Sequence, residues 1–457
     1  MSKLKKLPED CTFPQLAVVL DEPRFAASLQ ASLGAGLAPG AVAIRSLKLK
    51  RVYYKPGRSC RVTFRAKMRG GDGRRGEQLY YAKMFAAGKA ERVYERARRG
   101  RPTAPEFGPA VAILPELSMV VWAYPNDPNL PGLALLADGD AVAAHLRSAP
   151  QCFGLSPGGE LLALEVEAGK YVPGQRCGCF YRARWRAADG QEMEHRFYGK
   201  AYQPGLGRAA HDILRRLAES EACRGGALRV PAPYGLDADH DIVWQEMLPG
   251  VPFSKEASAC DLQAAAAPVG AALAAFHATR LELGPGLGLE HEVGELRRSC
   301  ARIANAYPQF RHRGAALERG LLQAVPGLPA VPSAPVHGSF KISHIFAVGS
   351  QVAFIDFDGA GLGDPTYDVG RFLAHLAVAG LNSKTEAETV AAAYERFRAA
   401  YAAGVPWEWP EARVRWYTSA LLLSSQAYKC VKRLVPDRVG AILGAAEAWF
   451  PGRDGGG

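Results

Sequence analysis

A chain of 457 residues with 48% hydrophobic side chains is long enough for two to four folded units, and that share argues against a disordered or low-complexity protein. No apolar run follows the basic segment Met1–Lys6, no stretch is long enough to span a membrane, and the nine cysteines are scattered without a CxxC pair. Secreted disulfide scaffolds, zinc ribbons and membrane proteins are therefore not expected, whereas a cytoplasmic chain with reduced thiols is. The net charge of +11 is uneven, with 22 Lys and Arg against 8 Asp and Glu in residues 1–100. These charges are spread rather than blocked, which predicts a solvated basic face and no nucleic-acid partner.

The first half of the chain is organised by an internal repeat. Lys55-Pro56-Gly57-Arg58 and the residues to Ala66 recur from Val172-Pro173-Gly174-Gln175 to Ala183. Tyr81-Ala82-Lys83-Met84-Phe85 recurs as Tyr198-Gly199-Lys200-Ala201-Tyr202, and Glu95 matches Asp212, all at an offset of 117. Val120-Val121-Trp122 matches Ile242-Val243-Trp244 after a five-residue slip. Each copy predicts a helix (24–33; 141–147), then two alternating runs joined by a turn (61–68 with 78–85; 178–185 with 195–202). A second helix (89–99; 207–220) and a Pro-rich link lead to an apolar strand ending at Trp122 or Trp244. Residues 255–457 read as mainly helical, with helices expected at 264–277, 294–307, 384–401, 410–431 and 439–450. Only 335–358 has the short apolar pieces of a β-hairpin.

The chemistry-bearing segment lies in that second half. His337-Gly338-Ser339-Phe340-Lys341-Ile342-Ser343-His344 is followed by Asp356-Phe357-Asp358-Gly359 and then by Gly363-Asp364-Pro365-Thr366-Tyr367-Asp368. Two carboxylates directly after the apolar run Val352–Ile355 suit a hard cation.

Residues 131–457 resemble the aminoglycoside phosphotransferase and choline kinase-like family, a branch of the protein-kinase-like fold. The resemblance rests on His337-Gly338, Asp356-Phe357-Asp358, Gly363-Asp364-Pro365 with Asp368, and Ala275-Phe276-His277. It implies an α+β chain with a bilobal protein-kinase-like fold, preceded by a second small-lobe-like α+β domain. The expected divisions are 12–130 for the extra small lobe, 131–250 for the ATP-binding small lobe and 251–457 for the mainly helical large lobe.

The implied activity is ATP-dependent phosphoryl transfer to an unidentified small molecule. Asp356 is the expected metal ligand and catalytic centre, with Asp358 beside it, and the metal is Mg²⁺, with Mn²⁺ as the alternative. Lys200, held by Asp212, would take the α/β-phosphates, and the turn at Gly174 would cover them. The segment Trp244–Leu248, with Glu246 and Met247, would be the hinge that reads adenine. The chain departs from the family at two positions. Ser339 stands where an Asp normally receives the substrate proton, and His344 stands where an Asn normally binds metal. Ser is no base at neutral pH unless another group activates it, whereas Lys341 could neutralise the transferring phosphoryl group. An enzyme with an atypical catalytic loop and a pseudokinase that binds nucleotide with little turnover both fit these residues. His337 is expected to brace the loop against the Asp368 region.

Overall fold

The computed structural model describes residues 7–34, 41–86, 88–253, 259–381 and 387–450. The two halves of the repeat form two five-stranded sheets of the same topology. In the first, β1 (Val42–Lys55), β2 (Ser59–Gly70), β3 (Arg75–Met84), β4 (Val111–Leu114) and β5 (Met119–Ala123) are ordered β1-β2-β3-β5-β4. In the second, β6 (Glu160–Val172), β7 (Arg176–Arg186), β8 (Glu192–Tyr202), β9 (Pro233–Asp237) and β10 (Ile242–Glu246) are ordered β6-β7-β8-β10-β9. The hairpins expected from alternation are β2–β3 and β7–β8. The long edge strands β1 and β6 escape that reading. Their exposed faces carry Lys, Arg or Glu, and each has a bulge at the same repeat position, Ile44/Ser46 and Leu161/Ala163, where the period of two breaks.

A carboxylate latch is repeated with the sheets. Asp10 Oδ2 accepts the Tyr54 hydroxyl (2.6 Å) and the Gly57 N–H (2.8 Å), and its Oδ1 accepts the Thr12 N–H (2.9 Å). At the common offset, Asp127 Oδ2 accepts Tyr171 (2.8 Å) and the Gly174 N–H (2.6 Å), and its Oδ1 accepts the Asn129 N–H (3.0 Å). The hydrogen bonds are the same, but the outcome differs. Burial tends to raise both carboxyls. At half-buried Asp10 the Tyr54, Gly57, Thr12 and Phe13 hydrogen bonds prevail and hold the group below its ordinary range, whereas at Asp127, 7% exposed, burial prevails and raises it.

The apolar strand at the end of each copy is in a different register from the sequence match. The Phe85 N–H donates to Ser118 O (2.9 Å) as the Tyr202 N–H donates to Asp241 O (3.0 Å), and Ser118 and Asp241 share a left-handed backbone (φ 47° and 52°). The slip is therefore six residues, not five, and a one-residue shift turns a side chain to the other face. Trp122 packs with Tyr81 and Phe85, whereas Trp244 lies in the core of the second sheet with Phe153, Tyr181 and Phe197.

Contacts divide the chain into two compact units: Met1–Arg208 with Tyr234–Trp244 and Val431–Val435, and Ala209–Pro233 with Gln245–Cys430 and Pro436–Gly457. The helix Leu206–Ala218 and the link after it thus group mainly with the large helical part rather than with 131–250. The core of the second unit contains the Ala-rich helix Ala259–Ala278 and the helix Ala387–Gly404. These approach so closely that a Cβ on Gly270 would lie 2.5 Å from the Phe397 carbonyl. The start expected for the latter helix, near 384, lies outside the described residues. The helix Glu411–Leu421 continues into a π-helical stretch, Leu422–Ala427. There the Ser424 hydroxyl donates to the buried Glu292 (2.5 Å), and burial pushes the Glu292 carboxyl up to about 7.

Two stability predictions follow from these groups. Asp127→Ala strands buried donors and should cost about 3 kcal/mol in denaturant unfolding, against about 1 kcal/mol for Asp10→Ala. The Glu292 carboxyl is raised on folding, so its stability contribution falls as pH climbs from about 4.5 to about 7 and is level above that. Glu292→Gln should therefore gain thermal stability over the wild type progressively across that window, by on the order of 3 kcal/mol at pH 8. Melting curves at pH 4.5, 6 and 8 check the sign.

Candidate active site

Two small sheets carry the chemistry-bearing loops. β11 (Val251–Pro252) pairs with β13 (Ile345–Val348), which pairs with β14 (Gln351–Phe354), while β12 (Ala334–Val336) pairs with β15 (Gly361–Gly363). Residues 337–344 run from β12 into β13, and residues 355–360 run from β14 into β15, so the two loops lie side by side. The Ile355 N–H donates to His344 O (3.0 Å) and ties them together. Gly338 is in the left-handed region (φ 70°), and a Cβ there would lie 2.1 Å from the Gly359 carbonyl.

The motif Gly363–Asp368 is the start of the helix Pro365–Gly380. Asp364 caps it, accepting the Thr366 N–H (3.0 Å), with Pro365 in the first helical turn. Asp364 also receives Arg413 Nε (2.8 Å) and the Tyr417 hydroxyl (2.8 Å). Asp368, fully buried in the first turn, accepts the backbone N–H of His337 (2.5 Å) on one oxygen and that of Gly338 (3.0 Å) on the other. His277 faces the same carboxylate (Nε2 to Oδ2, 3.3 Å) and Tyr401 (Nδ1 to OH, 2.7 Å). Asp368 thus braces the backbone at His337, while the His337 ring points elsewhere. Its Nε2–H donates to Ile355 O (3.0 Å), which fixes the tautomer and leaves the Nδ1 lone pair toward Ser339 Oγ (3.4 Å). Ser339 Oγ also lies 3.3 Å from Asp356 O. Burial holds the His337 imidazole below its ordinary range, against the pull of Asp368 and Asp356.

Asp356 has a left-handed backbone (φ 70°), rare for a residue with a Cβ and worth on the order of 1–3 kcal/mol of strain. Its Oδ2 lies 3.1 Å from His344 Nε2. Burial pushes the His344 imidazole down to about 3 despite Asp356, so the ring is neutral. A neutral ring facing a carboxylate carries its proton on Nε2. Its Nδ1, buried, has no hydrogen-bond partner. His344 therefore orients Asp356 and does not present the ligand nitrogen expected of it. No group of three His, Cys, Asp or Glu suited to a metal occurs among the described residues. Mg²⁺, however, is commonly held by one or two carboxylates and substrate phosphates, and Asp356 fits that requirement. Asp358 is exposed two residues on, and Lys341 is partly exposed.

The remaining expected site residues fall as follows. Lys200 is buried on β8, its Nζ 4.9 Å from the centre of the Tyr202 ring, in the first unit. Asp212 lies half-exposed in the second unit, beside His211 (3.9 Å). The Gly174 N–H is already donated to Asp127 and its carbonyl accepts Gln203 (2.7 Å), so this turn is latched into the sheet rather than open to phosphate. Glu246 pairs with Arg229 and accepts the Ala232 N–H (3.1 Å), and its own N–H donates to Ala232 O (2.9 Å). Met247, just beyond β10, is half-buried. The roles of His337 as Ser339's acceptor and of Asp368 as an amide clamp were not readable from spacing.

Gly338→Ala should destabilise the second unit by about 2 kcal/mol or more, since it adds both a left-handed strain and a clash with backbone oxygen. Ser343→Ala, exposed in the same loop, should leave the melting temperature unchanged.

A profile of the family described as "Phosphotransferase enzyme family" (APH) matches residues 182–415 of the chain. Among solved structures, the chain is similar to an aminoglycoside phosphotransferase from Streptomyces rimosus ATCC10970, at 20% identity over 62% of this chain and 98% of the other, TM-score 0.39. It is also similar to a choline/ethanolamine kinase family protein from Mesorhizobium loti, at 16% identity over 67% and 94%, TM-score 0.43. A third is a thermostable mutant of the aminoglycoside phosphotransferase APH(4)-Ia in a ternary complex with AMP-PNP and hygromycin B, at 18% identity over 69% and 99%, TM-score 0.45. No curated protein sequence matches.

Proposed function

The chain belongs to the phosphotransferase enzyme family, matched over half its length, and on that premise we propose that it is an ATP-dependent kinase of a small hydroxylated or amine-bearing molecule. The observation that carries this reading is Asp356, held in a strained left-handed backbone with its carboxylate on His344 and its carbonyl beside Ser339. A chain drifting from catalysis has no reason to keep a strained carboxylate oriented by a buried histidine.

In this reading Asp356 would hold Mg²⁺ or Mn²⁺ together with phosphate oxygens, whose charge the ion would neutralise. Lys200 is assigned to the α/β-phosphates and Lys341 to the transferring phosphoryl group. The acceptor oxygen bonds to the γ-phosphorus as the bond to the β-phosphate oxygen breaks, and ADP leaves. The acceptor's proton passes to Ser339 Oγ as the Ser339 proton passes to His337 Nδ1. His337 can take it because Ile355 O occupies its other nitrogen. This relay stands in for the missing carboxylate, and as general-base assistance it is worth ~10²–10⁴-fold.

ATP consumption by the purified protein with an acceptor panel tests the proposal. Asp356→Ala should lower turnover at least ~10²-fold, Ser339→Ala should lower kcat by a similar factor with little change in the KM for ATP, and Lys200→Ala should raise that KM while Lys83→Ala does not. Ser339→Asp should also lower turnover, since its carboxylate removes the relay and pairs with Lys341. A rise on Ser339→Asp would mean that the loop is a damaged version of the usual one. Nucleotide binding without consumption in every variant and the wild type would leave a pseudokinase.

A further inference from the structure

The first repeat contains a cavity of about 620 Å³ that the proposed phosphoryl transfer does not use, a size usual for small-molecule sites. It lies on the Lys83 face of the first sheet. Four cations line it: Lys83, Lys89, Arg96 and Arg101. Its one carboxylate, Asp127, is already occupied by Tyr171, Gly174 and Asn129. Glu95, which matches Asp212 in the repeat, bridges Arg98 (3.1 Å). Among the described residues, no carboxylate lies within ion-pair distance of any of the four cations, and the recorded contact of Lys83 is the Phe85 ring (4.9 Å).

Trp122 also lines the cavity, stacked on Tyr81 with ring centres 5.1 Å apart, and its Nε1–H is buried without an acceptor. Buried indole N–H groups normally find one. The Trp244 indole of the second repeat, turned to the opposite side of its sheet by the six-residue slip, is likewise buried without an acceptor, so the cations alone speak for a ligand. Four cations with no carboxylate at ion-pair distance match a multiply charged, acceptor-rich ligand better than a single carboxylate. Lys83 also has a lowered pKa, from its burial first and then from Arg61, Lys89 and Lys55, against an opposing pull from Asp127.

We propose that this cavity is a second, non-catalytic binding site for a phosphorylated small molecule, whose phosphate oxygens take Lys83, Arg96 and Arg101. Lys83 and Lys200 occupy the same position in two sheets, and the inference does not require turnover at the second. The test uses the full chain carrying Lys200→Ala and Asp356→Ala, titrated calorimetrically in EDTA with ADP and, separately, with inorganic pyrophosphate. At least one probe should bind at one site per chain with Kd below about 1 mM, and Arg96→Gln with Arg101→Gln should weaken it about tenfold or more. Those two arginines are exposed, so their loss does not threaten folding. Lys83→Met should weaken binding by a similar factor. Absence of binding for both probes, or binding that survives the double arginine substitution, overturns the proposal. ATP consumption by the wild type would in either case stand as a separate result.

Discussion

The loops of the candidate site depend on one carboxylate. Asp368 offers each of its oxygens to one of two consecutive amides, at His337 and Gly338, from the first turn of a helix capped by Asp364. With no solvent around it, this pair of charge-assisted bonds fixes the path of the loop where the chain must pass through the left-handed region at Gly338. The loop then meets the Asp356 segment through three further bonds: Ile355 N–H to His344 O, His337 Nε2–H to Ile355 O, and His344 to the Asp356 side chain. Asp356 keeps its strained backbone because these contacts over-determine it. Apart from His344, whose ring is itself one of these contacts, the path of the loop is set by backbone groups and by Asp368 and His337, so it does not depend on the side chain at Ser339.

The repeat shows how one sequence pattern serves two environments. The latch of Asp10 and that of Asp127 agree oxygen for oxygen, yet the hydrogen bonds prevail at Asp10 and lower its pKa, while deeper burial prevails at Asp127 and raises it. The lysines Lys83 and Lys200 occupy the same register on their sheets, but one lines a cavity rich in cations and the other is buried. Duplication therefore preserved the geometry of the sheet while leaving the surroundings of each lysine free to diverge.

Much of this architecture is legible in the sequence because it is periodic or local. The offset of 117, the β2–β3 and β7–β8 hairpins, most of the long helices and the family motifs all rest on short-range pattern. The helices Arg311–Ala324 and Pro365–Gly380 and the edge strands β1 and β6 were missed. The edge strands carry charge on the open face and break period at their bulges, so alternation does not mark them. The tryptophan match misled because aligning identical residues hides a one-residue insertion that only the ladder register reveals.

By itself, then, the sequence determined the fold class, the duplication and the identity of Asp356 and Ser339, since each is carried by residues close together in the chain or at a constant spacing. Tertiary structure alone decided what those residues do to one another. That His337 offers its Nδ1 to Ser339, that His344 orients Asp356 rather than offering it a lone pair, that the Gly174 amide is taken by Asp127 and that Trp122 is left with an unused donor are all matters of which polar atom is buried against which. A hydrogen bond joins groups across dozens of residues at a separation of about 3 Å, and no local pattern records where its second partner will be.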